Sequence, residues 1–363
     1  MLRRPLTRLV SAVAVAGTLC AVGAGAAFAA PAASWSGPSK PVPGALTNDS
    51  PALSRISFPN PIGQGVLVAW RGRGVAGHVF YKYRTNIRQH WSRIGVLSGA
   101  LTSSAPAIGS YTDPLGRGAV IVVWAGHLDR HIWYSQGETR PDGTIGFTKP
   151  AFLPNSIAYA STFNAPTIFF PDHRNVVMVA WRAPFNHVRY SIGVPAGRNF
   201  RWSASAVVPG NPPSPSSAHC TVAPCTSDTP AVTEQTTGTS SGQIFVFWKQ
   251  LGTRDVFYAA TTDDHTTNWS HLSWTGPTQV PGAVTLTAPA ASVPTLNSIG
   301  PLLLVYKTPF STRVRYQRLT GTTWSTAATI AATRTAVAPA LLRNLLATTT
   351  PGTIGNIVLH VYG

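Results

Sequence analysis

Acidic side chains are scarce in this chain. Of its 363 residues only 11 are Asp or Glu, and Glu138 and Glu234 are the sole glutamates. Ordinary glycoside hydrolysis needs two carboxylates about 5 to 10 Å apart, so few placements could support it. Methionine occurs twice and cysteine three times. The shortage of Lys, Glu and Met beside 32 Gly and 31 Pro disfavours helices and suits short strands joined by many turns. The chain has no P-loop, no G-x-S-x-G, no H-E-x-x-H and no dinucleotide fingerprint, which removes the reaction classes those motifs serve. No cofactor is expected. Beyond residue 29 no run is long and apolar enough to span a bilayer.

Residues 1–29 read as a secretory signal peptide. Arg3, Arg4 and Arg8 precede the apolar run 9–22, and Ala27-Phe28-Ala29 gives an A-x-A cleavage site. Leu19 before Cys20 is a poor match to a lipoprotein cleavage box. The expectation is therefore a released, extracellular protein, monomeric and without a membrane anchor. Losing the three leader arginines takes the formal charge from +17 to +14. Cys220 and Cys225 remain, and in an exported chain they are expected to form a disulfide. Closing so short a loop contributes about 2 kcal/mol at most. With no second ligand pair nearby, no metal site is expected.

What the chain has in abundance is one recurring unit. Pro51, Pro106, Pro166, Pro230, Pro289 and Pro339 each precede Ala or Thr at intervals of 50 to 64 residues. The aromatics Trp70, Trp124, Trp181, Trp248, Tyr306 and Tyr362 keep nearly the same step. An all-β unit of this length reads as one propeller blade. Each unit resolves into four strands. The first starts at the Pro pair. The second is a continuous apolar run, as in residues 119–124, which implies burial on both faces. The third holds a Tyr three residues beyond a polar one, as in residues 131–134, and the fourth starts at Trp91, Phe147, Trp202, Trp274 or Trp324. The sixth unit stops after residues 356–363, read as its second strand, while residues 34–44 parallel the fourth strand at 273–282. The sequence thus predicts an all-β fold: a single propeller over 30–363, with six four-stranded blades and an N-terminal strand closing the last.

In such a blade the turn between strands two and three shares a face with the connections between blades. Those turns hold Arg71, Arg73 and His78; His127, Asp129, Arg130 and His131; Arg182 and His187; Lys249, Arg254 and Asp255; and Lys307 and Arg313. Guanidinium groups pair with carboxylates, sulfates and vicinal hydroxyls, so a ring of them suits an acidic or hydroxyl-rich polysaccharide. Arg71, His78, Arg130, His131, Arg182, His187, Lys249, Arg254, Asp255, Lys307 and Arg313 are the candidate ligand-binding residues. The same residues also read as solvated or strand-capping groups in a basic protein. The repeated Trp and Tyr read first as core. Asp49 and Asp228, each two residues before a Pro marker, and His131 are the catalytic candidates. An Asp-capped turn also explains both aspartates.

The layout resembles the sialidase-like superfamily, which includes Asp-box repeat proteins and sugar-binding propeller lectins. Residues 262–269 fit the S/T-x-D-x-G-x-x-W box except that Thr266 replaces glycine. The resemblance implies a propeller in which that box is a structural turn away from the active site. It also implies, for the catalytic members, three arginines, a Tyr/Glu nucleophile pair and an Asp acid/base. Arg55-Ile56-Ser57 only echoes the family's Arg-Ile-Pro, and Glu138 and Glu234 map to turns on the opposite face.

The first expectation is a secreted, lectin-like propeller recognising a polysaccharide through a basic, aromatic-containing face. The alternative is a polysaccharide-degrading enzyme, a hydrolase using Asp49 or Asp228 or a lyase using His, Tyr and Arg. A structural or protein-binding propeller is the third. Export and the spread of Arg over six units argue against nucleic acid.

Overall fold

The computed structural model describes residues 35–363 except 61, 73–76, 86–89, 114–115, 128, 130, 154–164, 172–175, 197–198, 209–224, 237–241, 262–271, 295–298, 344, 352–354 and 363. The expected leader, Cys220, Arg73, Arg130 and the Asp-box segment lie outside the described residues.

From Ser34 onward the chain forms one unit of six antiparallel sheets. Blade one consists of Ala52–Ser57, Gln64–Arg71, Gly77–Thr85 and Gly95–Thr102, paired in that order. Blades two to five repeat the order, with inner strands Ala107–Thr112, Thr167–Phe169, Ala231–Thr236 and Ala290–Ser292. The inner strand of blade six is Ala340–Leu342. Each inner strand touches the next around the circle, and Ala340–Leu342 returns to Ala52–Ser57. The ring is closed, a six-bladed β-propeller.

Why the second strands are apolar throughout is now physical. Each stands between two neighbouring sheets, so both of its faces are covered. Gly118–Ala125 is buried at every position after the first, and Trp124, Trp181, Trp248 and Tyr306 are at most 2% exposed. In the first five blades one large aromatic side chain of this strand fills the wedge between neighbouring sheets. The fourth strands differ from expectation in detail. In blades two, three and five they break into two pieces, for example Thr323–Trp324 and Ala328–Arg334. The marker aromatic lies on or beside the first piece, leaving the second to pair on alone.

The last blade closes as foreseen but with a different register. The N-terminal strand Trp35–Thr47 pairs antiparallel with Gly355–Tyr362, Trp35 opposite Tyr362 and Thr47 opposite Gly355. Gly355–Tyr362 is, however, the third strand of blade six, and Leu345–Thr349 is its second. The blade is complete. Thr348 faces Val358 as Trp70 faces Phe80, so Tyr362 is not the counterpart of the other five aromatics. A second strand that lacks its aromatic hid itself from the repeat count.

The connections between blades share a device. A Thr stands four residues before each Pro marker, and Thr47, Thr102, Thr226, Thr285 and Thr335 are buried. In four of them the hydroxyl accepts the N–H of the residue two further on and donates to that residue's carbonyl, as between Thr226 and Asp228 at 3.0 and 2.8 Å. In blade one the same hydroxyl accepts the Asp49 N–H at 3.0 Å. This local side-chain turn fixes the connection just before the proline. Thr226→Val keeps the shape and orphans both backbone groups, so we expect a loss of about 1–3 kcal/mol in urea unfolding. A loss below about 0.5 kcal/mol would show that the turn holds without it.

Candidate functional site

The Pro markers of all six blades converge on one axial cavity of about 340 Å³. Its charged lining residues are Asp49 and Asp228, with Ser50, Ser103, Ser104 and Thr229 adding hydroxyls. The two aspartates come from blades one and four, opposite members of a six-fold ring. Membership of opposite blades does not separate them, since both line this one cavity.

Each carboxylate is braced by the cation that ends the second strand of its own blade. Arg71 Nη1 lies 3.6 Å from Asp49 Oδ2, and Lys249 Nζ lies 3.6 Å from Asp228 Oδ2. Burial pushes the Asp49 carboxyl above its usual range, against the opposing pull of the Ser50 N–H and of Arg71. Burial likewise raises Asp228, against Lys249, the Thr229 N–H and Arg182. The sign of the linkage follows. Each folded carboxyl binds its proton more tightly than the unfolded one, so stability falls as pH rises from the unfolded pKa through the folded one. Below that window the two groups cost nothing, and above it the cost is complete. Carbon-13 carboxyl titration should find both midpoints above the ordinary aspartate value, and Asp49→Asn should raise the melting temperature at neutral pH. A lowered midpoint for either group would reverse this reading.

The remaining sequence candidates divide into three groups. The basic side chains that end second strands are turned toward the backbone. Arg182 Nη1 donates to Ser227 O at 2.9 Å, Lys249 Nζ to Leu286 O at 2.8 Å, and Lys307 Nζ to Ala336 O at 3.1 Å. Each acceptor stands three residues before a Pro marker. These cations tie one blade to the connection leading to the next, which explains their recurrence without a ligand. Arg182 also donates to Asn186 Oδ1, at 2.9 Å from its Nε.

Histidines form the second group. His187 is buried, its backbone bridges Cys225, and burial followed by the charge of Arg189 lowers its pKa. It is a structural group. His131 packs its ring 6.3 Å from Phe152 and, like His78, is not among the residues lining the axial cavity. Asp129 is folded back to accept from the Trp133 indole at 3.1 Å and the His131 N–H at 3.1 Å. The third group sits on the rim. Arg254 and Arg313 are exposed and Asp255 is partly so.

The rim also carries a residue that sequence reading passed over. Phe310, in the strand-two-to-three turn of blade five, is 80% exposed and holds φ at +55°. A large aromatic in the left-handed region is a genuine outlier. The Arg254 guanidinium of blade four lies 4.3 Å over its ring. In the sequence the Pro-Phe pair recurs only in the equivalent turn of blade three, at Pro184-Phe185. Of the two glutamates, Glu138 pairs with Arg117 at the opposite end, whereas Glu234 is buried on an inner strand and not in a turn. Among the described residues no group of three or more His, Cys, Asp or Glu is placed to hold a metal.

No protein-family model and no curated protein matches the chain. Solved structures do. NanB sialidase from Streptococcus pneumoniae superposes with a TM-score of 0.53 at 8% identity, over 86% of this chain and 67% of that one. A protein of unknown function from Dyadobacter fermentans gives 0.50 at 11% identity, over 86% and 94%. Aleuria aurantia lectin in complex with alpha-methyl-L-fucoside gives 0.48 at 14%, over 79% and 80%. At such identities the likeness speaks for the fold alone, a propeller, and the lectin superposition carries no weight of its own.

Proposed function

We propose that this protein is an exported carbohydrate-binding propeller that seats one sugar residue of a polysaccharide in the axial mouth. The observation that carries the reading is the pair of braced carboxylates, Asp49 and Asp228, lining one cavity of about 340 Å³. Carboxylates held in this way accept hydrogen bonds from vicinal hydroxyls, and neighbouring serines and threonines supply further partners. The aromatic at Phe310, with Arg254 above it, offers a stacking surface for a second residue of the chain. The acidic mouth changes which glycan fits. Arg71, Arg182, Lys249 and Lys307 are engaged with the backbone or with Asp49 and Asp228, while Arg254 and Arg313 stay exposed on the rim, so neutral, hydroxyl-rich sugars suit the mouth itself better than acidic ones. A sialidase shares this fold, which is consistent with the proposal but does not carry it.

A glycan panel probed with residues 30–363 is the test. Retention on neutral glycans that is lost in Asp49→Asn and Asp228→Asn supports the reading. Retention only on acidic glycans, or on none, removes it.

One observation favours a second reading, glycoside hydrolysis. Two carboxyls with raised pKa values share a cavity, and such enzymes need one protonated acid and one ionised partner. Reducing-end release from a polysaccharide panel would establish it if abolished by either substitution. No turnover with intact binding leaves the lectin.

A further inference from the structure

Blade five carries a cavity of its own, about 270 Å³ in volume and lined by Thr308, Ser311, Arg313, Arg315 and Thr329. None of the five lines the axial mouth. Thr308 and Ser311 lie in the turn between Leu302–Lys307 and Arg313–Thr320, the second and third strands of the blade. Thr329 lies on the outer piece Ala328–Arg334. Arg313 and Arg315 are two apart on one strand and so share a face. The register sets Arg315 opposite Thr329 and Arg313 opposite Arg334.

Arg315 is partly buried and held in place. Its Nη2 donates to Ala327 O at 3.2 Å, while its Nε is enclosed with no acceptor in the protein. An enclosed N–H without an acceptor is costly to keep. Blade three shows the paired version. There Arg189, opposite Trp181 as Arg315 is opposite Tyr306, donates to Ser205 Oγ at 3.2 Å. In blade five the place of Ser205 is taken by Ala327, and that of Val207 by Thr329. The hydroxyl that would hold the guanidinium is gone, and another has appeared on the cavity wall.

Arg313 is exposed, and among the described residues its guanidinium makes no ion pair or hydrogen bond. The turn uses only its backbone. The Arg313 N–H donates to Ser311 Oγ at 3.1 Å, and its carbonyl accepts the Thr308 N–H at 3.0 Å and the Thr308 hydroxyl at 3.2 Å. Ser311 therefore keeps its hydroxyl proton to donate, and the Thr329 hydroxyl has no partner among the described residues. Arg313 also faces Arg334 across the strands, and like charges set opposite each other repel. Such a pair gains when an anion joins it.

From two guanidiniums and two donor hydroxyls lining one cavity, we propose that blade five binds a sulfate or phosphate group. Arg315 forms the fixed wall, Arg313 closes from the exposed side, and Ser311 and Thr329 donate to further oxygens. Donors that arrive from two strands and a turn suit a tetrahedral anion of two charges. A planar carboxylate is already satisfied by one guanidinium. The cavity shares no residue with the mouth, so anion binding can fail with glycan retention intact, and the reverse.

Inorganic sulfate and inorganic phosphate are the probes, titrated by calorimetry into residues 30–363 at fixed ionic strength, with acetate as the planar anion. The expected result is binding that falls at least about tenfold in Arg313→Gln and in Arg315→Gln, with acetate at least about tenfold weaker than the better probe. Arg313→Gln changes an exposed side chain and leaves the backbone bonds of the turn in place, so its lost binding is not a folding defect. Arg201→Gln removes one exposed charge from blade three and should leave the affinity within about twofold. Glucose 6-sulfate separates the sources. Tighter binding than inorganic sulfate supports the site and assigns it to an ester on a sugar, and weaker binding supports it and assigns it to the free ion. The proposal is overturned if none of the three binds, or if either arginine variant in blade five stays within about threefold of the parent. It is equally overturned if acetate binds as tightly, or if Arg201→Gln weakens binding as much as Arg313→Gln.

Discussion

Asp49→Asn combined with Asp228→Asn weakens glycan binding at least about 100-fold and at the same time raises the melting temperature. Each substitution keeps the side-chain volume and a hydrogen-bonding oxygen, so the turn and the Ser50 and Thr229 caps survive. What is lost is charge. A hydrogen bond to an ionised group contributes about 1.5–3 kcal/mol, or roughly 10- to 150-fold in Kd, and the proposed site sets two such groups against one sugar. The opposite sign on stability follows from burial: both carboxyls are harder to ionise in the folded protein than in water, and a neutral amide removes that burden. A structural role for the aspartates predicts the reverse pair of results, lower stability with binding unchanged. Calorimetry and thermal melts on the same samples separate the two. Binding within threefold of the parent in the double variant would dismiss the axial mouth as the sugar site.

Moving the closing strand gives the second large effect. Removing residues 1–47 strips Val42 and Ala45, both fully buried, from the cluster that holds Leu53, Val68 and Trp70. It also bares the edge of Gly355–Tyr362. Re-exposing that apolar surface costs on the order of 5 kcal/mol, a large part of what holds a domain together, and an unpaired edge invites aggregation. We expect the truncated protein to be insoluble or to unfold at least about 10 °C lower. The relocation is more telling. Trp35 stands opposite Tyr362, so residues 34–47 appended after Gly363 through a short Gly-containing turn should re-form the same pairing as a hairpin. A permuted chain starting at residue 48 should then recover a single cooperative melt. Failure of the permuted chain, with the truncated one unaffected, would mean that the strand does not close the ring.

Much of the fold was legible because it rests on repetition. Prolines recur at all six blades and large aromatics at the equivalent place in five of them, and that periodicity can be read from the chain alone. The register of blade six escaped for the same reason, since Leu345–Thr349 has no aromatic to mark it. The site was only partly legible. Asp49 and Asp228 could be singled out by position, but that they share a cavity depends on how tightly the ring narrows. The recurring Arg and Lys show that recurrence follows structural need as readily as ligand need, since Arg182, Lys249 and Lys307 each hydrogen-bond the connection to the next blade. The Thr four residues before each proline was visible in the sequence and unread, as a hydroxyl gives no apolar signal. Phe310 shares its Pro-Phe pair only with blade three, and it is the positive φ of Phe310 and Arg343 that sets them apart.

The central claim is that closure of the ring brings side chains 179 positions apart to one opening. It can be tested without knowing any ligand, by cross-linking Asp49→Cys to Asp228→Cys with a short bismaleimide in a chain whose Cys220 and Cys225 are replaced by serine. Peptide mapping by mass spectrometry should show the two segments joined within one chain, in good yield and independent of protein concentration. Recovery of two singly modified cysteines, in protein that still melts cooperatively, would mean that the two positions do not share an axial mouth.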